Sequence, residues 1–375
     1  MFELKVTRIS MGTSDSGPEP MGLGGSQDVV MCWGIDEHAA HMALVSMYTA
    51  TRAWEQWRVS MSPSELEEIK LKLVVMHTGL GEIAMLAVQD FLGDLITQNS
   101  QVFLVDCSSA LPTPHPDATL PKASFLRLLT PFIAKNTKAL IYLDADTYLK
   151  GSFRELVQIS EGLERPLAAV PELSVTQYAR KGFQAPNHIH QGDVESYLRD
   201  YLGVSPTSYI QSGVLVFAKS FTLDLAQKAL DLMQTRSYWF DDQCLLSSLV
   251  KGDFYMLPGE WNFQVGSRPI FGKPQDGILH LSGLFRPWRI LWNPSFQEYN
   301  QLSRLVSSNS KFKRPSNLPW HIRFFNLLSL LSFRAMPEPV QRIIWIKYSQ
   351  KKELKVGVWQ HGELRVENRE LDCTV

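Results

Sequence analysis

Short apolar, β-branched runs alternate along the chain with longer amphipathic stretches. Val29 to Trp33 precedes Ala39 to Thr49, Leu71 to Met76 precedes Ile83 to Phe91, Val102 to Val105 stands next, and Ala139 to Leu143 precedes Phe153 to Ile159. A brief continuous apolar run suits a strand covered on both faces, and the stretches between carry helical spacing. This rhythm predicts strand–helix units around a mostly parallel sheet. It continues with runs at Ala168 to Val170 and Val214 to Phe217, a helix over Ser220 to Thr235 and another opening near Asp241. Further strands are expected at Phe254 to Leu257 and Ile278 to Leu281. One α/β domain over residues 28–300 accommodates all of them, and no internal repeat interrupts it.

The two ends read differently. Met11 to Gln27 is rich in Gly, Ser and Pro and lacks the basic start and apolar core of a signal peptide, so residues 1–27 are expected to be a flexible leader outside the fold. In residues 301–375, Lys311, Lys313, Arg314, Trp320, His321 and Arg323 lead into an apolar run, Phe324 to Phe333. Arg342, Trp345, Lys347, Tyr348, Lys351 and Lys352 follow it. Basic residues interleaved with aromatic ones suit a helix lying on anionic lipid, and they equally suit two helices packed back on the domain. The apolar run is about half of the roughly 20 residues that span a bilayer. VGVWQ and ELRVE, in the last part, alternate as a small hairpin would.

Composition narrows the classes of function. A chain of 375 residues with 45% apolar and 20% charged residues and a net charge of −1 has a full core and no overall attraction to nucleic acid, so no nucleic-acid partner is expected. Its cysteines, Cys32, Cys107, Cys244 and Cys373, are too scattered for a zinc knuckle or a disulfide framework, which points to a reducing, cytoplasmic setting.

Sheets of this kind bind ligands beyond the carboxyl ends of their strands, which draws attention to Asp36, Asp106 and Asp144. In ALIYLDADTYLK five apolar residues end in Asp144 and Asp146, placing two hard carboxylates at the rim, where they suit Mn2+ or Mg2+. A capped turn would use the same residues. A phosphatase of the haloacid dehalogenase type also carries Asp-x-Asp, but it wants Thr or Val where this chain has Tyr148. In GILHLSGLFRPWR, His280 could complete a site begun by two carboxylates, Gly283 lets backbone approach an anion, and Arg286 can neutralise a diphosphate.

Taken together, these segments resemble glycosyltransferase family 8. They are, in order, GIDEHAAHMALVSMYTA, Arg127 within FLRLLTPFIAKNTKALIYLDADTYL, IQSGVLVF, DDQCLLSSL with LPGEWNF, and HLSGLFRPW, running from Gly34 to Trp288. The resemblance implies a GT-A fold, Rossmann-like, with a small basic, helical C-terminal appendage. It also implies a retaining, metal-dependent transfer of galactose or glucose from a UDP-sugar to a glycan or glycolipid, as in the lipopolysaccharide enzymes. Asp144, Asp146 and His280 would hold the metal, and Gly283 and Arg286 would receive the diphosphate. Asp36 and His38 would hold the base or ribose, although Asp36 could instead cap the following helix. Arg127 would lie near the donor sugar and phosphate, with Asp242 and Gln243 facing the sugar and Gln211 and Glu172 close by.

Three positions depart from the family's pattern: Ala39 replaces an aromatic residue, Gln211 an Asn, and Arg286 a Lys. The substitution at Gln211 bears on donor identity and the one at Ala39 on base stacking. Two other functions share the resemblance, a glycogenin-like transferase acting on a protein or soluble acceptor and a non-catalytic scaffold that binds a nucleotide sugar. The retained Asp144, Asp146, His280 and Gln243 argue against the scaffold.

Overall fold

The computed structural model describes residues 4–10, 13–16, 23–97, 99–134, 136–185, 189–264, 276–282, 286, 296–309, 319–324, 356–360 and 363–367. Its strands begin with β1 Lys5–Ser10, β2 Thr13–Ser16, β3 Asp28–Ile35, β4 Lys70–His77, β5 Ser100–Asp106, β6 Ala139–Leu143 and β7 Thr147–Lys150. They continue with β8 Leu167–Pro171, β9 Ile210–Phe217, β10 Tyr255–Met256, β11 Phe263–Gln264, β12 Gly277–His280, β13 Val356–Gln360 and β14 Glu363–Glu367. Nine of them form one sheet in the order β10-β8-β9-β6-β3-β4-β5-β1-β2.

The continuous apolar runs follow from burial on both faces. Along β3, Val29, Met31, Trp33 and Ile35 join one core layer, while Val30 and Cys32 join the other. Side chains alternate across a strand, so a strand covered on both sides is apolar at every position. The helix Ala40–Val59 runs past the predicted end at Thr49. Its extension buries Trp54 and Trp57, which pack on Phe153 at ring separations of 6.5 and 5.3 Å.

The strand directions are more mixed than the rhythm predicts. β6, β3, β4 and β5 are parallel, but β9 runs antiparallel to both β6 and β8. Periodicity reports which faces are buried and carries nothing about the direction of the neighbour. The expectation that residues 1–27 stand outside the fold is corrected for part of that segment. β1 pairs antiparallel with β5, and β2 pairs with β1. Val6 and Ile9 are buried on opposite faces there, and β1 covers what would otherwise be the open edge of β5. In the tail, VGVWQ and ELRVE do pair as an antiparallel hairpin, β13 with β14. The rest of 310–350, apart from residues 319–324, lies outside the described residues, and the lipid and packing readings lie there with it. Among the described residues, no helix is long and apolar enough to cross a membrane.

The strand order fixes where a ligand belongs. From β3 the chain steps outward through β4 and β5, then returns to the other side of β3 as β6. Open α/β sheets bind ligands at this reversal, beyond the carboxyl ends of the strands. Asp36 follows β3 and Asp144 follows β6, so the two flank the crevice.

Candidate functional site

The buried strand β6 ends at Leu143, and the chain turns through Asp144–Asp146 into β7. The turn is held by its backbone: Asp144 N–H donates to the Gly213 carbonyl at 2.8 Å, and the Asp144 carbonyl accepts from Thr147 N–H at 3.1 Å. β7 pairs antiparallel with β12 in a smaller three-stranded sheet, with His280 opposite Thr147. Leu281 N–H donates to the Asp146 carbonyl at 2.9 Å, which fastens the end of β12 to the same turn. Strand register therefore carries His280, far away in sequence, to the two aspartates.

His280 Nε2 lies 3.2 Å from Asp146 Oδ1 and 3.7 Å from Asp144 Oδ2. Ligand atoms of the three residues all fall within 4.8 Å of one another, so they could hold a metal ion. Two carboxylates with one imidazole suit Mn2+ or Mg2+ and leave coordination positions for phosphate oxygens. Burial works against charge on Asp146 and on His280. For Asp146, Arg286 at 2.9 Å and His280 outweigh burial and hold the carboxyl well below the usual carboxylate range. For His280, burial lowers the pKa, but Asp146 and Asp144 overcome it and the net shift is upward.

Arg127 sits on the 3-10 helix Lys122–Leu129, which crosses β3 where Gly34 leaves space. A Cβ at Gly34 would lie 2.8 Å from Leu126 Cβ. Arg127 is 5% exposed, and its guanidinium stands between two acids. Nη2 donates to Asp144 Oδ1 at 2.7 Å, and Nη1 lies 3.0 Å from Asp242 Oδ2. Nη1 also donates to the carbonyl and hydroxyl of Ser212, and Nε donates to the Ser124 carbonyl. Burial pushes Asp242 up to about 6, with Arg127 working against the shift and Asp144 adding to it.

Strand β9 forms the wall beside Asp144. Gly213 needs to be glycine, since a Cβ there would lie 2.3 Å from His280 Cε1 and 2.9 Å from Asp144 Oδ2. Gly213→Ala is expected to displace His280, lower activity by about 10²-fold or more, and destabilise the chain by about 1–3 kcal/mol, as overpacking does. Steady-state kinetics beside urea denaturation would check both. Next to it, Gln211 Oε1 accepts from Gly213 N–H at 2.6 Å and from Asn262 Nδ2. Asn262 Oδ1 in turn lies 2.9 Å from His280 Nδ1. Gln243 is half-buried, and its Oε1 accepts from Ser212 N–H at 3.4 Å.

The remaining sequence-predicted residues are placed as follows. Asp36 is half-buried and accepts from Ala39 N–H at 2.8 Å, which closes the turn that leads into the helix Ala40–Val59, while His38 is exposed. Glu172 is buried and accepts from Ser174 N–H at 2.9 Å, and burial raises its pKa. Arg286 meets Asp146 from the other side, and Gly283 lies outside the described residues. Ser212 and Asn262 went unnoticed as individual residues. Both sat inside quoted motifs, and the one signal for Asn262 was a lone amide between Trp261 and Phe263.

His77 ends β4 on the same rim, buried, with Nδ1 accepting from Gly79 N–H at 3.2 Å. Burial lowers its pKa from the ordinary 6.5, against the pull of Asp106. The unfolded imidazole thus takes up a proton before the folded one, so this contribution to stability is present above 6.5 and fades as pH falls through the lowered folded value. His77→Gln is expected to lose less stability than the parent between pH about 7.5 and about 5.5. Denaturant titrations at the two pH values would show it.

The sequence profile of glycosyl transferase family 8 matches residues 95–291, more than half of the 375-residue chain. Among solved structures, the apo structure of the bifunctional glycosyltransferase WbbM is 15% identical, with 80% of this chain and 55% of that chain covered and a TM-score of 0.62. The chain thus spans 55% of the length of WbbM. The galactosyltransferase LgtC, solved in complex with donor and acceptor sugar analogues, is 16% identical, with 77% of this chain and 97% of that chain covered and a TM-score of 0.50. At such identities the likeness speaks for the fold, and the large mixed sheet is that of the GT-A glycosyltransferases. None of the curated proteins matches the chain.

Proposed function

This chain belongs to glycosyl transferase family 8, and from that membership we propose that it moves galactose or glucose from a UDP-sugar to a glycan or glycolipid acceptor, with retention at the anomeric carbon. The observation that carries the reading is the meeting of Asp144, Asp146 and His280 at the crevice between β3 and β6. LgtC, solved with donor and acceptor sugar analogues, supports a sugar on both sides of the reaction.

Asp144, Asp146 and His280 would hold Mn2+ or Mg2+, which supplies Lewis acidity to the departing diphosphate. The chain's own residues do the rest. Arg286, already beside Asp146, places a second positive charge where negative charge develops on the leaving oxygen. Asp36 and His38 stand at the end of β3, where a ribose or base would lie. Asp242 and Gln243, in the first turn of the helix Asp241–Val250, both meet Ser212, and the neutral amide of Gln243 would suit the oxocarbenium character of the sugar better than a strong base would. The departing phosphate would take the acceptor hydroxyl's proton. The interleaved basic and aromatic residues of the tail support work at an anionic membrane surface on the cytoplasmic side.

The test is turnover of UDP-galactose and UDP-glucose with glycan acceptors and Mn2+, followed by proton NMR of the product. One donor is expected to yield an α-linked product, with activity lost on chelation. An inverted product, or turnover indifferent to chelator, would sink the reading.

A further inference from the structure

A short chain of amide contacts behind His280 has its polarity set from one end. It starts at Gly213 N–H, a backbone group that can only donate. The side-chain atom of Gln211 that meets it at 2.6 Å is therefore the oxygen, Oε1. That same oxygen touches Asn262, so the Asn262 atom facing it is the nitrogen, Nδ2. With Nδ2 committed, Asn262 presents Oδ1 to His280 Nδ1 at 2.9 Å, and Nδ1 must carry the hydrogen. The other ring nitrogen, Nε2, faces Asp146 Oδ1 at 3.2 Å and Asp144 Oδ2 at 3.7 Å, where it would give its lone pair to a cation held between them. Amide orientations in isolation are ambiguous by half a turn, but here each is fixed by the one before it.

Packing holds the relay still. Gln211, Asn262 and His280 are all buried, and β11 follows Asn262 directly and pairs with β12, with Gln264 opposite His280. The absence of a Cβ at Gly213 is what lets the imidazole approach the relay's first donor. Gln211 is the residue that departs from the family's Asn, and its extra methylene lets its oxygen fold back to the N–H two residues on while still reaching Asn262.

We infer that Asn262, backed by Gln211, is a positioning residue that fixes the tautomer and ring orientation of His280 as a metal ligand. This deepens the metal reading of the site and rests on it. A hydrogen-bond partner behind a metal-binding histidine sets which nitrogen faces the metal, and removing such a partner typically weakens metal affinity by about 10–100-fold.

Mn2+ binding is measured on the full chain without nucleotide, from the loss of the free-ion signal in electron paramagnetic resonance, alongside a thermal melt. Asn262→Ala is expected to weaken Mn2+ binding by at least about 10-fold. Asn262→Asp, which still accepts from Nδ1–H, should stay within about fivefold of the parent, well above Asn262→Ala. Gln211→Ala should fall between them, and the Gln211→Ala/Asn262→Ala double variant should bind no more weakly than Asn262→Ala alone, because both act through one relay. Should Asn262→Ala fail to fold, Asn262→Asp and Gln211→Ala still carry the comparison. Mn2+ affinity within twofold of the parent for Asn262→Ala, or Asn262→Asp as weak as Asn262→Ala, overturns the relay. A merely structural role would lower the melting temperature and leave the affinity unchanged. The two failures separate: a parent chain that does not bind Mn2+ ends the metal reading and the relay with it. Binding lost in Asp144→Asn but kept in Asn262→Ala ends the relay alone.

Discussion

Asp144→Asn is expected to lower sugar transfer by about 10³-fold or more, about 4 kcal/mol of transition-state stabilisation, while the protein stays folded. The activity loss follows from removing one of the carboxylates that would hold the metal under the leaving group. The fold survives because the structural work at this position is done by backbone. Asp144 N–H still donates to Gly213, and its carbonyl still accepts from Thr147. Nor does the change strand a charge, since Arg127 keeps Asp242, Ser212 and Ser124 as partners. Circular dichroism and melting would be near those of the parent beside collapsed kcat. Activity within tenfold of the parent would show that Asp144 has no part in catalysis.

The largest effect on stability is expected at Arg127. Arg127→Met keeps an unbranched chain of similar length but removes the cation between Asp144 and Asp242. Breaking a buried pair from one side costs about 3–5 kcal/mol, because the remaining charge is left without compensation. Asp242, buried and already pushed up to about 6, would take up a proton in the variant and relieve part of that cost. The sign follows directly: holding a proton on Asp242 in the folded state costs more as pH rises, so the destabilisation should be greater at pH about 8 than at pH about 5.5. Urea titrations in the presence of chelator measure it. A loss below about 1 kcal/mol at pH about 8 would mean that the two acids do not depend on Arg127. Activity should fall as well, since both acids lose the group that holds them in place.

Much of this site was legible in the sequence, for reasons that differ by residue. Asp144 and Asp146 stood out because the five apolar residues before them mark a strand end, and strand ends are where an α/β sheet meets its ligands. His280 came from its place in a motif, and the register of β7 on β12 explains how it reaches the aspartates. Arg127 was found by its spacing to Asp144, but spacing says nothing about how deeply a guanidinium is enclosed. Its burial comes from the 3-10 helix crossing β3 at Gly34, a contact between segments about 90 residues apart in sequence. Asn262 was hidden because its partners, Gln211 and His280, are distant in sequence, and a lone amide in an aromatic stretch carries no periodic signal. The strand β1 was missed because Gly, Ser and Pro nearby outweighed two apolar residues, and what stabilises it is the open edge of β5.

The central claim is that Asp144, Asp146 and His280 bind a nucleotide's diphosphate through a divalent cation. It is tested most directly by calorimetric titration of the purified chain with UDP, with and without Mn2+. At least about tenfold tighter binding in Mn2+ than in chelator, with the difference gone in Asp144→Asn, is the result this account requires. UDP that binds equally well with and without the ion, or not at all, would contradict it.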